Sequence, residues 1–214
     1  MSAYINSVLK RGKACRKSQK DLELFSANRP IDKKIKFDCL PGKSKQERAR
    51  KGSDFGMQLS AKQSVKNFYG LREKQFKSYV VNKSKKFHRD IVNKADVLLV
   101  LLESRLDNLV YRMGFAVTRR QARQMVSHYH ILVNGHPVNI PSYQVKAGDV
   151  ISVSERAKGH DRISSSLEIN DQADRFDWLK VDSEGLKGTL VSRPDIEFLH
   201  QMFDVNLIIE FYSK

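Results

Sequence analysis

Between Asp96 and Val153 the apolar residues first keep helical spacing and then switch to alternation, and this change of period sets an order of elements. The run Val97 to Leu102 leads into Leu106, Leu109, Val110 and Met113 at i, i+3, i+4, i+7 positions. Gly114 supplies a stop, so the pattern predicts one helix of several turns. Thr118-Arg119-Arg120-Gln121 has the form of a capping box, in which a threonine oxygen satisfies an orphan N–H and a glutamine reaches back. A second helix should therefore start at about Arg119, with Ala122, Met125 and Val126 facing the core. Ile131 to Val138 places two short apolar strands around Asn134-Gly135, residues that tolerate positive φ, which predicts a hairpin. Val150-Ile151-Ser152-Val153 alternates as a further strand.

The flanks are less regular. Ala61 to Tyr69 reads as a helix closed by Gly70, and Leu71, Phe76, Tyr79 and Val80 approximate one face of another. Past residue 155 the chain turns polar, with Ser164 to Ala173 as a short helix and Trp178 to Val181 as a strand. Gly185 to Gly188 reads as a turn, and Leu207 to Tyr212 as an apolar terminal segment. Residues 1–56 are irregular and should bury little, ordering on a partner. The expected class is α+β: a basic N-terminal arm over 1–52, a helical domain over 53–103 completed by 177–214, and an inserted helix-plus-antiparallel-sheet module over 104–165.

Charge narrows the partner. Residues 1–90 hold 24 basic and 8 acidic side chains, whereas 91–214 hold 15 and 16, so the net +15 of the chain lies in its first part. A mild excess would be a solvated basic face. This one repels itself until an anion neutralises it, which favours a phosphate-rich partner. No stretch approaches the ~18–20 uninterrupted apolar residues of a membrane span, so no membrane partner is expected. The two cysteines, Cys15 and Cys39, fall short of the four ligands of structural zinc, and they read as free thiols with no metal and no cofactor. A Gly-rich phosphate loop, a nucleophile elbow and paired carboxylates are all missing, so no catalytic residue is assigned.

The stretch Arg105-Leu106-Asp107-Asn108-Leu109-Val110-Tyr111-Arg112-Met113-Gly114-Phe115, then Thr118-Arg119 and Ala122-Arg123-Gln124, resembles the start of the RNA-binding module of the ribosomal protein S-four family. Val126-Ser127-His128, Ile131 to Gly135 and Val138 to Tyr143 continue the likeness. Similar modules are attached to tyrosyl-tRNA synthetases, pseudouridine synthases and a small heat-shock protein, so the flanks decide. Ser53-Asp54-Phe55-Gly56 with Gln58-Leu59, Lys62-Gln63, Tyr69-Gly70, Glu73-Lys74-Gln75-Phe76 and the terminal Ile208 to Lys214 are similar to the whole family in its bacterial or plastid form. Two departures stand out: no four-cysteine zinc knuckle, and Lys43-Ser44-Lys45 after Pro41-Gly42 where the family often has Gln-His-Gly. Asp107 invites comparison with the catalytic Gly-Arg-Leu-Asp of pseudouridine synthases, the rival reading. Ser104 precedes the motif here and no large mixed domain follows, so Asp107 reads as structural.

The resemblance implies a non-enzymatic structural constituent of the small ribosomal subunit. In the family, the protein is a primary rRNA-binding protein that nucleates assembly of the 5′ domain at a five-helix junction. It lies near the mRNA entrance tunnel, influences translational accuracy and contacts ribosomal protein S-five. Partners would be small-subunit rRNA, S-five and mRNA, on ribosomes of a bacterial cytoplasm or chloroplast stroma. RNA-facing residues would be Arg11, Lys13, Arg16 and Lys17 of the arm, and Lys43, Lys45, Arg48, Arg50 and Lys51 of its basic loop. The helical domain would add Lys62, Lys66, Tyr69, Arg72 and Lys74. In the module they would be Arg105, Arg112, Arg119, Arg120, Arg123 and His128, with Arg119 to Arg123 at a helix N-terminus where free N–H groups also favour phosphate. The trio His128, His130 and His136 lacks a carboxylate or cysteine companion, and only His128 is assigned to RNA.

Overall fold

Ser53 opens the first long helix, its hydroxyl accepting the Gly56 N–H that an opening turn leaves unpaired. The computed structural model describes residues 11–25, 33, 35, 36, 39–41, 53–83, 93–158, 163, 166, 176–182 and 184–213. From that cap runs α1 (Asp54–Phe68), which starts well before the apolar spacing indicated. Gly70, at φ +62, turns the chain at no steric cost, and α2 (Glu73–Ser78) follows, continuing into a π turn at Tyr79–Lys83. Asn93 caps α3 (Lys94–Glu103), in which Ala95 and every residue from Val97 to Glu103 are buried.

The continuous helix expected from Val97 to Met113 is two helices. Ser104 caps α3, Arg105 is extended at φ −70 and ψ 138, and α4 (Leu106–Arg112) begins afresh. Competition for backbone groups explains the break. The Ser104 carbonyl accepts the Val145 N–H at 3.0 Å, the Leu106 N–H donates to Tyr143 O at 2.9 Å, and the Asp107 N–H donates to Pro141 O at 3.2 Å. Bonds to the 141–145 loop thus replace bonds along the helix. Apolar spacing is blind to this exchange, because the residues on both sides of the break are buried.

α5 (Arg119–Ser127) starts where the capping box placed it. Thr118 Oγ1 accepts the Gln121 N–H at 3.3 Å, and Gln121 Oε1 reaches back to the Val117 N–H at 3.1 Å. β1 (Ile131–Val133) and β2 (His136–Pro137) form the hairpin, with Asn134 at φ 50 and Gly135 at φ 81 supplying the left-handed pair. β3 (Val150–Val153) pairs with β1, Ile131 opposite Val153, and α6 (Glu155–Lys158) follows. β4 (Leu179–Asp182) and β5 (Lys187–Leu190) extend the sheet to the antiparallel order β2-β1-β3-β5-β4. The turn between β4 and β5 spans 184–186, so Gly188, read as a turn residue, lies inside β5. A Cβ there would stand 2.5 Å from Met113 Sδ, and the glycine lets the sheet close on the end of α4.

Two apolar cores result. One packs Leu106, Leu109, Phe115, Ala122 and Val126 beneath Ile131, Ile151, Trp178 and Leu190. The other gathers Val65, Phe68, Phe76 and Leu98 with α7 (Glu197–Met202) and α8 (Val205–Ser213), which contribute Leu199, Val205 and Ile208. Residues 177–214, expected as a unit to complete the helical domain, therefore divide between the cores. Residues 11–25, expected in a loose arm, also belong to the packed body. Residues 11–18 are helical, Cys15 and Leu22 are fully buried in the helical core, and the Lys20 ammonium donates to Met202 O. The helix expected over Ser164 to Ala173 lies outside the described residues apart from Ser166, which is buried. No helix among the described residues is long and apolar enough to cross a membrane.

Candidate nucleic-acid interface

A seam of paired charges joins the two cores. Glu103, at the end of α3, is 0% exposed. It accepts Tyr69 Oη at 2.6 Å, Asn108 Nδ2 at 2.8 Å and Arg112 Nη2 at 3.1 Å. Burial alone would raise its carboxyl, but the Arg112 and Arg119 charges and these hydrogen bonds hold it below the usual carboxylate range. Asn108 passes the chain of bonds on: its Oδ1 accepts Arg119 Nε at 2.9 Å, and Arg119 Nη1 reaches Glu23 Oε2 at 2.9 Å. The Arg119 guanidinium also lies over the Phe68 ring at 3.8 Å and the Tyr111 ring at 4.4 Å. Against its own burial, Glu23 too is drawn down by Arg119 and Arg112. Beside this network, Arg105 binds Asp107 through Nη2 at 2.7 Å and Nε at 3.0 Å, and donates to Tyr79 Oη at 2.8 Å.

These contacts correct part of the expected RNA-facing set. Arg105, Arg112, Arg119, Tyr69 and Lys62 are all less than a tenth exposed, and each hydrogen-bonds inside the protein, although the buried Nη2 of Arg119 finds no partner among the described residues. An arginine buried beside a carboxylate costs less to keep paired there than to strip for an outside ligand. Lys62 donates to Glu73 Oε1 at 2.7 Å and lies 4.4 Å over the Phe211 ring, while the half-buried Lys66 donates to Glu73 Oε2 at 3.0 Å. Burial works upward on Glu73, yet hydrogen bonds from Lys62, Lys66 and Tyr212 bring it down to about 2. Asp107 proves to be an anchor, as read, since it holds Arg123 through Nη2 at 2.8 Å as well as Arg105.

The remaining expected residues stay at the surface. Lys13, Lys17, Arg72, Lys74, Arg120 and His128 are exposed, and Arg11, Arg16 and Arg123 are half-buried. Lys43, Lys45, Arg48, Arg50 and Lys51 lie outside the described residues. Three of the surface arginines converge. Arg11, Arg120 and Arg123 line a cleft of about 410 Å³ where residues 11–24, the Tyr69-Gly70 turn after α1 and the N-terminus of α5 meet. Burial, then the Arg11 and Arg123 charges, pushes the Arg120 guanidinium below its ordinary value. Like charges held this close beside the free N–H groups of a capped helix form a site that attracts a phosphate-sized anion. Arg123 is fixed at the rim by Asp107 and by its Nη1 donating to Gly70 O at 2.9 Å.

Sequence reasoning missed Glu23, Glu103 and Asn108, which decide which arginines remain available. The signal was a carboxylate, Glu103, closing an apolar run, a position where a charge must find partners. Among the described residues no three His, Cys, Asp or Glu side chains are grouped to hold a metal ion; Cys15 is buried and Cys39 half-buried, both as free thiols.

Residues 9–103 match the family described as ribosomal protein S4/S9 N-terminal domain, and residues 104–151 match the S4 domain. The small ribosomal subunit protein uS4 of Coxiella burnetii (strain RSA 493 / Nine Mile phase I) is 48% identical over 206 residues, covering 95% of this chain and 98% of that protein. The protein of the same name from Chromobacterium violaceum is 46% identical over 216 residues, with both chains fully covered. That of Francisella tularensis subsp. novicida is 46% identical over 94% of this chain and 96% of its own length. The chain is a structural, non-enzymatic constituent of the small ribosomal subunit, and it belongs to the uS4 family.

Proposed function

We propose that the chain is a primary rRNA-binding protein that nucleates assembly of the 5′ domain by fixing a five-helix junction. The cleft holding Arg11, Arg120 and Arg123 is its reader of crowded phosphates. The observation that carries this reading is the convergence of those three guanidinium groups at the N-terminus of α5. The buried seam beneath makes the cleft rigid, and a rigid set of phosphate contacts selects RNA shape as well as charge. Contact with ribosomal protein S-five is assigned to the module and the C-terminal region. Beside that region, the exposed Met57 of α1 lies near Leu207 of α8, with Asp54 and Glu210 close by, and the exposed Phe55 ring lies 5.7 Å from that of Phe211. Proximity to the mRNA entrance tunnel and an influence on accuracy rest on the basic loop from Lys43 to Lys51, through the family resemblance alone.

Filter binding of the full-length protein to the five-helix junction and to a generic duplex of equal length tests the reading. The pair Arg120→Glu and Arg123→Glu should weaken the junction more than the duplex, and wild-type binding should fall steeply with salt. Equal loss on both RNAs, or a flat salt dependence, would show that the cleft does not read the junction.

A further inference from the structure

At its C-terminal end α5 places a tyrosine where such helix ends favour glycine. His128 is the C-cap, the Tyr129 N–H donates to Val126 O at 3.1 Å, and the His130 N–H donates to Met125 O at 3.0 Å. These are the paired bonds of a Schellman turn, whose C′ residue must be left-handed. Tyr129 adopts φ +60, which glycine reaches freely and a bulky side chain only under strain. Core packing does not offset that strain, because Tyr129 is 55% exposed. Its hydroxyl instead accepts Asn139 Nδ2 at 2.7 Å, which ties the outward ring to the loop after β2. Ile140, next to Asn139, is also 55% exposed, and the His128 and His130 rings lie parallel within 7° at a 6.0 Å centroid distance.

We propose that Tyr129, held by Asn139, is a stacking platform for an unpaired RNA base. Strained residues that persist without a packing reason concentrate at binding sites, and an exposed planar ring of fixed direction suits the π face of any base. Along α5 the side chains of Arg120, Gln124, Ser127 and His128 form one exposed stripe, and the helix carries no acidic residue. That composition favours RNA over a protein partner. The stripe runs from the arginine cleft to the tyrosine, a distance of about 13 Å for its 9 residues. A strand whose phosphates occupy the cleft therefore brings a looped-out base to Tyr129. The inference rests on the reading of that cleft as an RNA site.

The test uses the full-length chain and two RNA hairpins that differ only by one bulged adenosine, replaced by 2-aminopurine for a fluorescence readout. Wild type should prefer the bulged hairpin by about tenfold, with a change in 2-aminopurine emission on binding. Tyr129→Phe keeps the ring but loses the hydroxyl that Asn139 holds, so its preference should fall between those of wild type and Tyr129→Gly. Tyr129→Gly relieves the backbone and should raise Tm, yet bring the preference close to one with affinity for the plain hairpin unchanged. Equal, salt-sensitive binding of both hairpins by wild type overturns the platform while leaving the cleft reading intact. Binding of neither hairpin overturns both. A preference kept by Tyr129→Gly overturns the stacking role, and a preference kept in full by Tyr129→Phe overturns the part given to Asn139. If Tyr129→Gly left RNA binding unaltered but weakened retention of a neighbouring subunit protein, the ring would belong to a protein contact instead.

Discussion

The seam and the cleft use the same side chains to opposite ends. In the seam, Arg105, Arg112 and Arg119 meet Asp107, Glu103 and Glu23 in the interior. In the cleft, a few residues away, Arg11, Arg120 and Arg123 stand at the surface beside Glu23 and Asp107, and both of those carboxylates already bind seam arginines. The number of carboxylates within reach, rather than the residue type, decides whether an arginine builds the protein or serves a ligand. Charged hydrogen bonds in the dry seam are worth more than those at the wet rim, and an arginine left alone there would cost several times as much.

The sharpest way to break this contrast is Glu103→Ala. It leaves the buried Arg112 with the Glu23 carboxylate, at a longer 3.8 Å, in place of its near partner and strips Tyr69 and Asn108 of an acceptor, so stability should fall by about 3 kcal/mol. Urea denaturation followed by circular dichroism reads the change. A loss under about 1 kcal/mol would mean that the seam is not a paired interior network.

Asp107→Asn straddles the two regions, because Asp107 holds the buried Arg105 and the half-buried Arg123. We expect about 2–3 kcal/mol of destabilisation from weakened charged hydrogen bonds. Affinity for a generic duplex should rise at the same time, as Arg123 is released from its anchor. Stability and affinity falling together would place Arg123 outside the RNA site.

Charge reversal of the rim alone should do the converse. Arg11→Glu with Arg120→Glu should lower the log–log salt slope of rRNA binding by roughly 2, with each lost phosphate contact removing up to ~0.9, and should weaken affinity on the order of a hundredfold at low salt. The exposed Arg120 should cost no more than about 0.5 kcal/mol, and the half-buried Arg11, whose Nη1 donates to Leu24 O, about 1 kcal/mol, so Tm should fall only modestly. A large drop in Tm with an unchanged slope would assign these two residues to the seam.

The sequence carried the local part of this picture. Thr118 and Gln121 announced α5, Asn134-Gly135 announced the hairpin, and the alternation of Val150 to Val153 announced β3, because each depends on neighbours in the chain. What it could not carry depends on distant partners. The break at Ser104-Arg105 exists because the 141–145 loop bids for backbone groups there, and Gly188 lies in a strand because Met113 presses on it. The availability of arginines was hidden for the same reason: Arg119 and Arg120 are adjacent and both border the cleft, yet Arg119 is buried against Glu23 and Asn108 while Arg120 is exposed. The family resemblance credited both arginines with the same role.

The smallest expected effect tests whether the principle extends to the surface, at the Glu73 hub that ties α1 and α8 together. Glu73 accepts Lys62, Lys66 and Tyr212, and these bonds lower its carboxyl to about 2. A carboxylate whose folded pKa lies below its unfolded value stabilises the fold fully above the unfolded value, which for glutamate is about 4.3, and loses that contribution as pH falls through the folded value. Comparing Tm of wild type and Glu73→Gln across pH should thus give a constant gap near neutrality. The gap should narrow steadily from about 4.5 toward about 2, where wild type is itself protonated. Because the Glu73 side chain is 47% exposed, 1 M salt should shrink the neutral-pH gap far more than it alters the cost of Glu103→Ala, whose partners are sealed from ions. A gap that ignored both pH and salt would mean that Glu73 acts by packing, and the contrast between wet and dry ion pairs would not reach this part of the molecule.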